Sequence, residues 1–168
     1  IFKEYTDICF REKYSYEMFK DLNNTRIAED IDFVLKGIKI KQGNSVVISV
    51  IRPSYREELQ REDLSYYKKI KEMCIQFINK GLEVTLMSFC KSEGDEDAVI
   101  AIMSLIPDEY KNKIHSYYYE TNINEALDVL ANARAIVASR FHAMILGLVF
   151  EKPILPLIYS KKMTNVLE

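Results

Sequence analysis

Arg140 and His142 are the residues of this chain whose types and spacing are best suited to chemistry. They follow Ser139 and stand at the start of the long apolar segment FHAMILGLVF, residues 141–150. Arginine can donate two parallel N–H groups to a carboxylate or phosphate, and histidine can transfer protons near neutral pH. The pair therefore predicts a site for a small anionic molecule, with Arg140 binding the anion and His142 binding it or moving a proton.

Two apolar segments determine where this pair lies. The run AIVAS (135–139) is typical of a short buried strand, and the run at 141–150 is typical of a buried helix. Arg140 and His142 then lie at the N-terminus of that helix. Unpaired backbone N–H groups and the positive end of the helix dipole favour anions at such a position.

Apolar strands alternate with helix-period segments through most of the chain. We expect strands at 45–51, 82–89, 113–119, 135–139 and 153–159, and helices at 66–81, 95–106, 122–133, 141–150 and from 161 onward. Continuously apolar strands joined by helices imply a parallel sheet covered on both faces. The predicted fold class is therefore α/β, a doubly wound, Rossmann-like parallel sheet.

Residues 1–43 do not fit this alternation. We expect a strand at 7–12, a helix at 13–22, a strand or loop at 25–35, and a polar linker at 36–45. We interpret residues 1–43 as the remnant of a preceding α/β domain plus a linker. Residues 44–168 are then a Rossmann-like domain, truncated at its C-terminus.

Ligands of open parallel sheets bind outside the carboxyl ends of the strands, where the strand order reverses. Several polar residues follow the predicted strands directly; those that carry the prediction are Arg52, Ser139, Arg140, His142, Tyr159 and Lys161. The edge is rich in cationic donors, which again favours an anionic small molecule as the ligand.

Composition excludes several classes of function. The net charge of −2 gives no general attraction to nucleic acid or to an anionic membrane. The cysteines, Cys9, Cys74 and Cys90, form no CxxC motif, which argues against a disulfide framework and a zinc knuckle and favours a cytoplasmic location. The chain also lacks GxGxxG, P-loop and GxSxG motifs.

The same residues also fit structural roles. His142 fits a core histidine with satisfied hydrogen bonds, Arg140 fits a partner for a carboxylate, and Arg52 alone fits a surface residue. The acidic run EGDED (93–97) fits a helix N-terminus without any metal, and REELQREDL (56–64) fits a solvated loop and first helical turn.

Three motifs stand in the last part of the chain: Ser-Arg-Phe-His-Ala at 139–143, Glu-Lys-Pro at 151–153 and Tyr-Ser-Lys at 159–161. They resemble the polysaccharide pyruvyl transferase family, whose pattern is Ser-Arg-(Leu/Phe)-His-Ala, then Gly-Lys-Pro, then Tyr with a Lys-bearing helix. Residues 9–35 and 46–55 are similar to the end of the family's N-terminal half and to the strand that opens its C-terminal half. Arg134, where the family usually has an acid, and Glu151, in place of the usual glycine, depart from the pattern.

The resemblance implies a two-domain, GT-B-like architecture, of which this chain would hold the C-terminal domain and would be inactive alone. It implies transfer of an enolpyruvyl unit from phosphoenolpyruvate to two sugar hydroxyls, forming a ketal, with no cofactor and no metal. It further implies that Arg140 and His142 contact phosphoenolpyruvate and that His142 handles the proton. Arg52 matches another family arginine, and Lys161 and Tyr159 match residues that contact donor or sugar.

Two other functions stay open at the level of sequence. A nucleotide-sugar glycosyltransferase or epimerase of the same broad fold would bind a nucleotide diphosphate, and a non-catalytic interaction domain would bind neither anion. The acceptor sugar, its attachment to lipid or nucleotide, and the oligomeric state are not set by these residues.

Overall fold

A computed structural model describes residues 1–35 and 42–167. These residues form two compact units, a smaller one of residues 1–35 with 158–167 and a larger one of residues 42–157. The elements, in chain order, are β1 (Ile8–Phe10), α1 (Lys13–Phe19), β2 (Thr25–Ile27), β3 (Ser45–Ser49), α2 (Asp63–Asn79), β4 (Glu83–Ser88), α3 (Asp95–Leu105), α4 (Asp108–Lys111), β5 (Ile114–Tyr118), α5 (Ile123–Ala131), β6 (Ala135–Ala138), α6 (Phe141–Val149), β7 (Ile154–Pro156) and α7 (Lys161–Leu167).

The larger unit is built on a five-stranded sheet in which every strand is parallel to its neighbours. The strand order is β5-β4-β3-β6-β7, and Ile48 of β3 lies level with Leu86 of β4 and with Val137 of β6. The chain moves outward from β3 to β5 and then returns to the other side of β3 for β6 and β7. Strand order therefore reverses between β3 and β6, and the predicted doubly wound, Rossmann-like fold is confirmed.

Burial explains why the central strands are continuously apolar. Residues 46–50 are all buried, as are Leu86, Met87 and residues 136–138. A sheet covered on both faces leaves no solvated side for polar residues, so both alternating sets of side chains must be apolar. The same argument accounts for α6, where Ala143 to Gly147 are all buried.

The observed elements differ from the predicted ones mainly at their ends. Helix α2 begins at Asp63, three residues before the predicted start at 66, and the added residues 63–65 are not buried, so they contribute nothing to the apolar stripe. Strand β7 covers only Ile154–Pro156, at the edge of the sheet, where the absence of an N–H group in Pro156 is tolerated. Helix α4 was not predicted. The predicted linker falls partly on residues 36–41, which lie outside the described residues.

The smaller unit contains the parallel pair β1 and β2, in which Cys9 lies level with Arg26. Helix α1 begins after Glu12, whose carboxylate accepts a hydrogen bond from the Ser15 N–H at 2.9 Å. The segment predicted as strand or loop forms β2 and then a 3-10 helix, Ile31–Val34, capped by Asp30. Residues 158–167 group with the N-terminal segment in this division. The predicted domain boundary before residue 44 stays a prediction.

Candidate functional site

The junction between β6 and α6 lies beside the point where strand order reverses. Arg140 is the N-cap residue of α6, and His142 lies in its first turn with its side chain exposed. The hydroxyl oxygen of Ser49, at the end of β3, accepts hydrogen bonds from the N–H groups of Ser139 (3.0 Å) and Arg140 (3.2 Å). Ser49 thus fixes the start of α6, and it occupies the backbone N–H group of the N-cap residue Arg140.

The guanidinium of Arg140 is held by two carboxylates. Its Nε donates to Asp95 Oδ2 at 2.9 Å, its Nη2 donates to Asp95 Oδ1, and its Nη1 donates to Glu93 Oε2. The Arg140 side chain is only 12% exposed, and that of Asp95 is fully buried. Three of the five N–H donors of the guanidinium are therefore bound to acids. Arg140 thus pairs with carboxylates, as expected from the structural role that the sequence also allowed.

Asp95 is fixed from the other side by the backbone of the loop after β4. Its Oδ2 accepts hydrogen bonds from the N–H groups of Phe89 (3.2 Å) and Cys90 (2.9 Å). A buried carboxylate needs such partners, because an unpaired charge in the interior is very costly. Asp95 therefore acts as the anchor that sets the direction of the Arg140 side chain.

Glu93 joins Arg140 to a second arginine. Its Oε2 accepts a hydrogen bond from Arg56 Nη2 at 2.6 Å as well as the one from Arg140 Nη1. Glu93 is the last residue of a 3-10 helix, Lys91–Glu93, and the following residue, Gly94, has φ +76°. That left-handed backbone favours glycine and lets the chain turn directly from the 3-10 helix into α3.

Arg52 lies just after β3, and its side chain is 46% exposed. Its contacts are longer than those of Arg140. Its Nε lies 3.2 Å from the Ser54 hydroxyl and 3.5 Å from Asp63, and its Nη1 lies 3.3 Å from Asp97. Arg52 is therefore held loosely, and the substrate-binding role predicted for it stays a prediction.

The sequence correctly placed cations at this edge, but it did not place the acids. The segments that follow β3 and β4 bring four carboxylates against the three arginines Arg52, Arg56 and Arg140; they are Asp63 at the start of α2, Glu93 in the 3-10 helix, and Asp95 and Asp97 in the first turn of α3. Among these seven residues, four negative charges face three positive charges. EGDED (93–97) holds two of these acids against Arg140, a role that its sequence alone does not reveal.

A tyrosine supports Ser139 from α2. The hydroxyls of Tyr66 and Ser139 lie 2.8 Å apart, and the Ile51 N–H donates to the Tyr66 hydroxyl at 3.4 Å. Ser139 is buried, so this contact ties β6, the end of β3 and α2 together. On the next strand, the buried Ser88 hydroxyl has no hydrogen-bond partner among the described residues.

Burial and ion pairing set the charge states of the site. Burial alone would lower the pKa of Arg140, but its hydrogen bonds and attraction to Asp95 and Glu93 outweigh that effect and raise it. Burial raises the pKa of Tyr66 well above its ordinary value, against the opposite effect of the bond to Ser139. Arg140 is therefore charged, and Tyr66 is neutral, at physiological pH.

The six predicted site residues divide between the two units. Arg52, Ser139, Arg140 and His142 lie in the larger unit, at the carboxyl ends of β3 and β6. Tyr159 and Lys161 lie in the smaller unit, so their roles stay predictions. The catalytic roles of Arg140 and His142 also stay predictions.

The described residues offer neither a cluster of metal ligands nor a membrane-spanning helix. Among residues 1–35 and 42–167, no group of three or more histidine, cysteine, aspartate or glutamate side chains is arranged to hold a metal ion. Within the same ranges, every helix is too short or too polar to cross a membrane.

A comparison with protein-family models identifies the family of this chain. The family model described as polysaccharide pyruvyl transferase matches residues 1–161, which is nearly the whole chain. No curated protein matches it. The family match covers both units and includes every predicted site residue, so the resemblance seen in the sequence is confirmed.

Proposed function

Since this chain belongs to the polysaccharide pyruvyl transferase family, we propose that it takes part in moving an enolpyruvyl unit from phosphoenolpyruvate to a saccharide. Two hydroxyls of the acceptor become the oxygens of a pyruvate ketal, and inorganic phosphate leaves. The product belongs to the synthesis of an exopolysaccharide or another surface glycoconjugate. No cofactor is needed, because phosphoenolpyruvate itself carries the activated group.

One observation carries the proposal. Arg140 is preorganised by the buried Asp95, and it lies two residues before the exposed His142 in the first turn of α6. A guanidinium fixed on one edge can bind a carboxylate or phosphate with its remaining donors at little entropic cost. An exposed imidazole on the same turn can exchange protons with a bound ligand.

The chemistry suits these two side chains. One proton must be added to the methylene carbon of phosphoenolpyruvate, which builds positive charge at the central carbon. A sugar hydroxyl attacks that carbon, and a second hydroxyl then displaces phosphate to close the ketal. One hydroxyl proton balances the proton added to the methylene carbon, and the other leaves with phosphate. We assign the proton transfer to His142 and the binding of a donor oxyanion to Arg140.

Other residues complete the proposal. Arg52 and Ser139 contribute to donor binding, and Tyr159 and Lys161 contribute to donor or sugar binding. The acceptor is a saccharide, carried by a lipid at the membrane or by a nucleotide, and the reaction takes place in the cytoplasm. A GT-B-like partner half would supply the rest of the cleft, so the chain alone is expected to bind the donor without turning over.

Calorimetric titration of the chain tests the proposal against the nucleotide-sugar alternative. We expect saturable binding of phosphoenolpyruvate and no comparable binding of UDP-glucose. His142→Ala should keep most of the binding and lose transfer when assayed in the complete enzyme. Binding of UDP-glucose in preference to phosphoenolpyruvate would favour a glycosyltransferase or epimerase, and binding of neither would favour an interaction domain.

A further inference from the structure

We propose that Glu93 occupies an anion subsite between Arg56 and Arg140, and that an oxyanion group of the substrate replaces the Glu93 carboxylate there. This inference rests on the proposed function, and it adds Arg56 as a second cationic ligand of the donor. It also makes Glu93 a residue that tunes donor affinity.

Two guanidiniums converge on one oxygen atom of Glu93. Arg56 Nη2 and Arg140 Nη1 both donate to Glu93 Oε2. Charge-assisted bonds of this kind are how proteins bind carboxylate and phosphate oxygens of ligands. The Glu93 carboxylate therefore marks a position that is already shaped and charged for an oxyanion.

The subsite is accessible from the solvent on the side of Glu93 and Arg56. Side-chain exposure rises from 12% for Arg140 to 25% for Glu93 and 37% for Arg56. Asp95, which holds the opposite edge of the Arg140 guanidinium, is fully buried. A ligand can thus reach the Glu93 side of Arg140, whereas the Asp95 side is closed.

Glu93 is held less firmly than Asp95. Asp95 accepts two backbone N–H groups in addition to Arg140. Among residues 1–35 and 42–167, Glu93 receives side-chain hydrogen bonds only from Arg56 and Arg140. It also precedes Gly94, whose backbone turns with little steric restriction. Glu93 can therefore leave while Asp95 stays.

Charge balance makes the exchange feasible. Releasing Glu93 alone would leave two guanidiniums without their shared partner, which is costly for the mostly buried Arg140. Replacing one carboxylate by another oxyanion keeps the pairing in both states. Glu93 then competes with the ligand, so neutralising it should increase affinity.

Calorimetry on the full chain tests this with phosphoenolpyruvate, inorganic phosphate and UDP-glucose as probes. Glu93→Gln should bind phosphoenolpyruvate about tenfold more tightly than the wild type, and Arg56→Gln about tenfold more weakly. Glu96→Gln is the matched control, because Glu96 lies three residues after Glu93, in the first turn of α3, but pairs with Lys91 at 3.4 Å. The affinity of the Glu96→Gln variant for phosphoenolpyruvate should match that of the wild type within about twofold. Thermal unfolding of each variant checks that it folds.

The outcomes separate the inference from the proposed function. A folded Glu93→Gln variant that binds every probe no more tightly than the wild type overturns the inference, even if phosphoenolpyruvate binding is intact. Tighter phosphate binding by Glu93→Gln, with UDP-glucose preferred to phosphoenolpyruvate, supports the subsite and contradicts the proposed donor. Absence of binding for all probes and variants overturns both.

Discussion

The buried carboxylate of Asp95 binds the guanidinium of Arg140 through both of its oxygens. This pair links the loop after β4 to the N-cap of α6, across the point where the strand order reverses. It fixes the direction of Arg140 and closes one edge of its guanidinium. The anion binding that we propose for Arg140 therefore depends on the edge that faces Glu93.

Asp95→Asn should destabilise the larger unit strongly. The substitution leaves a mostly buried guanidinium without its charged partner, which costs about 3–5 kcal/mol of unfolding free energy. Asp97→Asn is the control, because the Asp97 side chain is 68% exposed and should cost less than about 1 kcal/mol. Urea denaturation measures both, and equal costs for the two variants would contradict the anchoring role of Asp95.

Tyr66→Phe should lower stability by about 1–2 kcal/mol. The substitution removes the hydroxyl that lies 2.8 Å from the buried Ser139 hydroxyl and accepts from the Ile51 N–H. Tyr67→Phe provides the comparison, because the neighbouring Tyr67 makes no contact with Ser139 among the described hydrogen bonds. Thermal unfolding of both variants is the measurement. A Tyr66→Phe variant as stable as the wild type would show that the contact between Tyr66 and Ser139 does not stabilise the fold.

Glu151→Gly should stabilise the chain by about 1 kcal/mol. Glu151 has φ +52°, and its N–H bonds to the Leu148 carbonyl while the Lys152 N–H bonds to the Gly147 carbonyl. This is a Schellman ending of α6, whose left-handed residue is usually glycine. Glu151→Ala should give no comparable gain, because alanine also carries a Cβ. A denaturation midpoint for Glu151→Gly at or below that of the wild type would show that the left-handed backbone of Glu151 is not strained.

Cys74 should resist alkylation in the native state. Burial raises the pKa of the Cys74 thiol to about 12, and only the thiolate reacts, so at pH 8 about one thiol in ten thousand is reactive. Cys9 is exposed and should be modified by iodoacetamide. Mass spectrometry locates the modified residue. If Cys74 in the native protein were labelled as fast as Cys9, the burial of Cys74 in the core would be contradicted.

Much of the fold could be predicted because periodicity and burial act locally. Strand β3 is predicted by its run of apolar residues, and α6 by an apolar segment that follows the strand β6 directly. The glycine that the family usually has at position 151 also has a physical reason, since the residue there is left-handed. Short elements such as α4 carry no periodic signal and were missed.

The candidate site was predicted only in part. Arg140 and His142 are identified by their position before α6, but the pairing of Arg140 with Asp95 joins residues 45 positions apart in sequence. No local pattern indicates such a contact, because the order of β4, β3 and β6 in the sheet brings the two loops together. The acids were therefore assigned to a helix N-terminus, and Arg56 to a solvated loop.

Nuclear magnetic resonance of the histidine rings tests the central claim most directly, because the chain has only two histidines. His142 lies in the first turn of α6, whereas His115 lies on β5, on the other side of β4 and β3 from β6. We predict that phosphoenolpyruvate shifts the ring signals of His142 saturably and leaves those of His115 unchanged. A titration in which His142 does not respond, or in which UDP-glucose moves it equally, would contradict the assignment of this junction as the donor site.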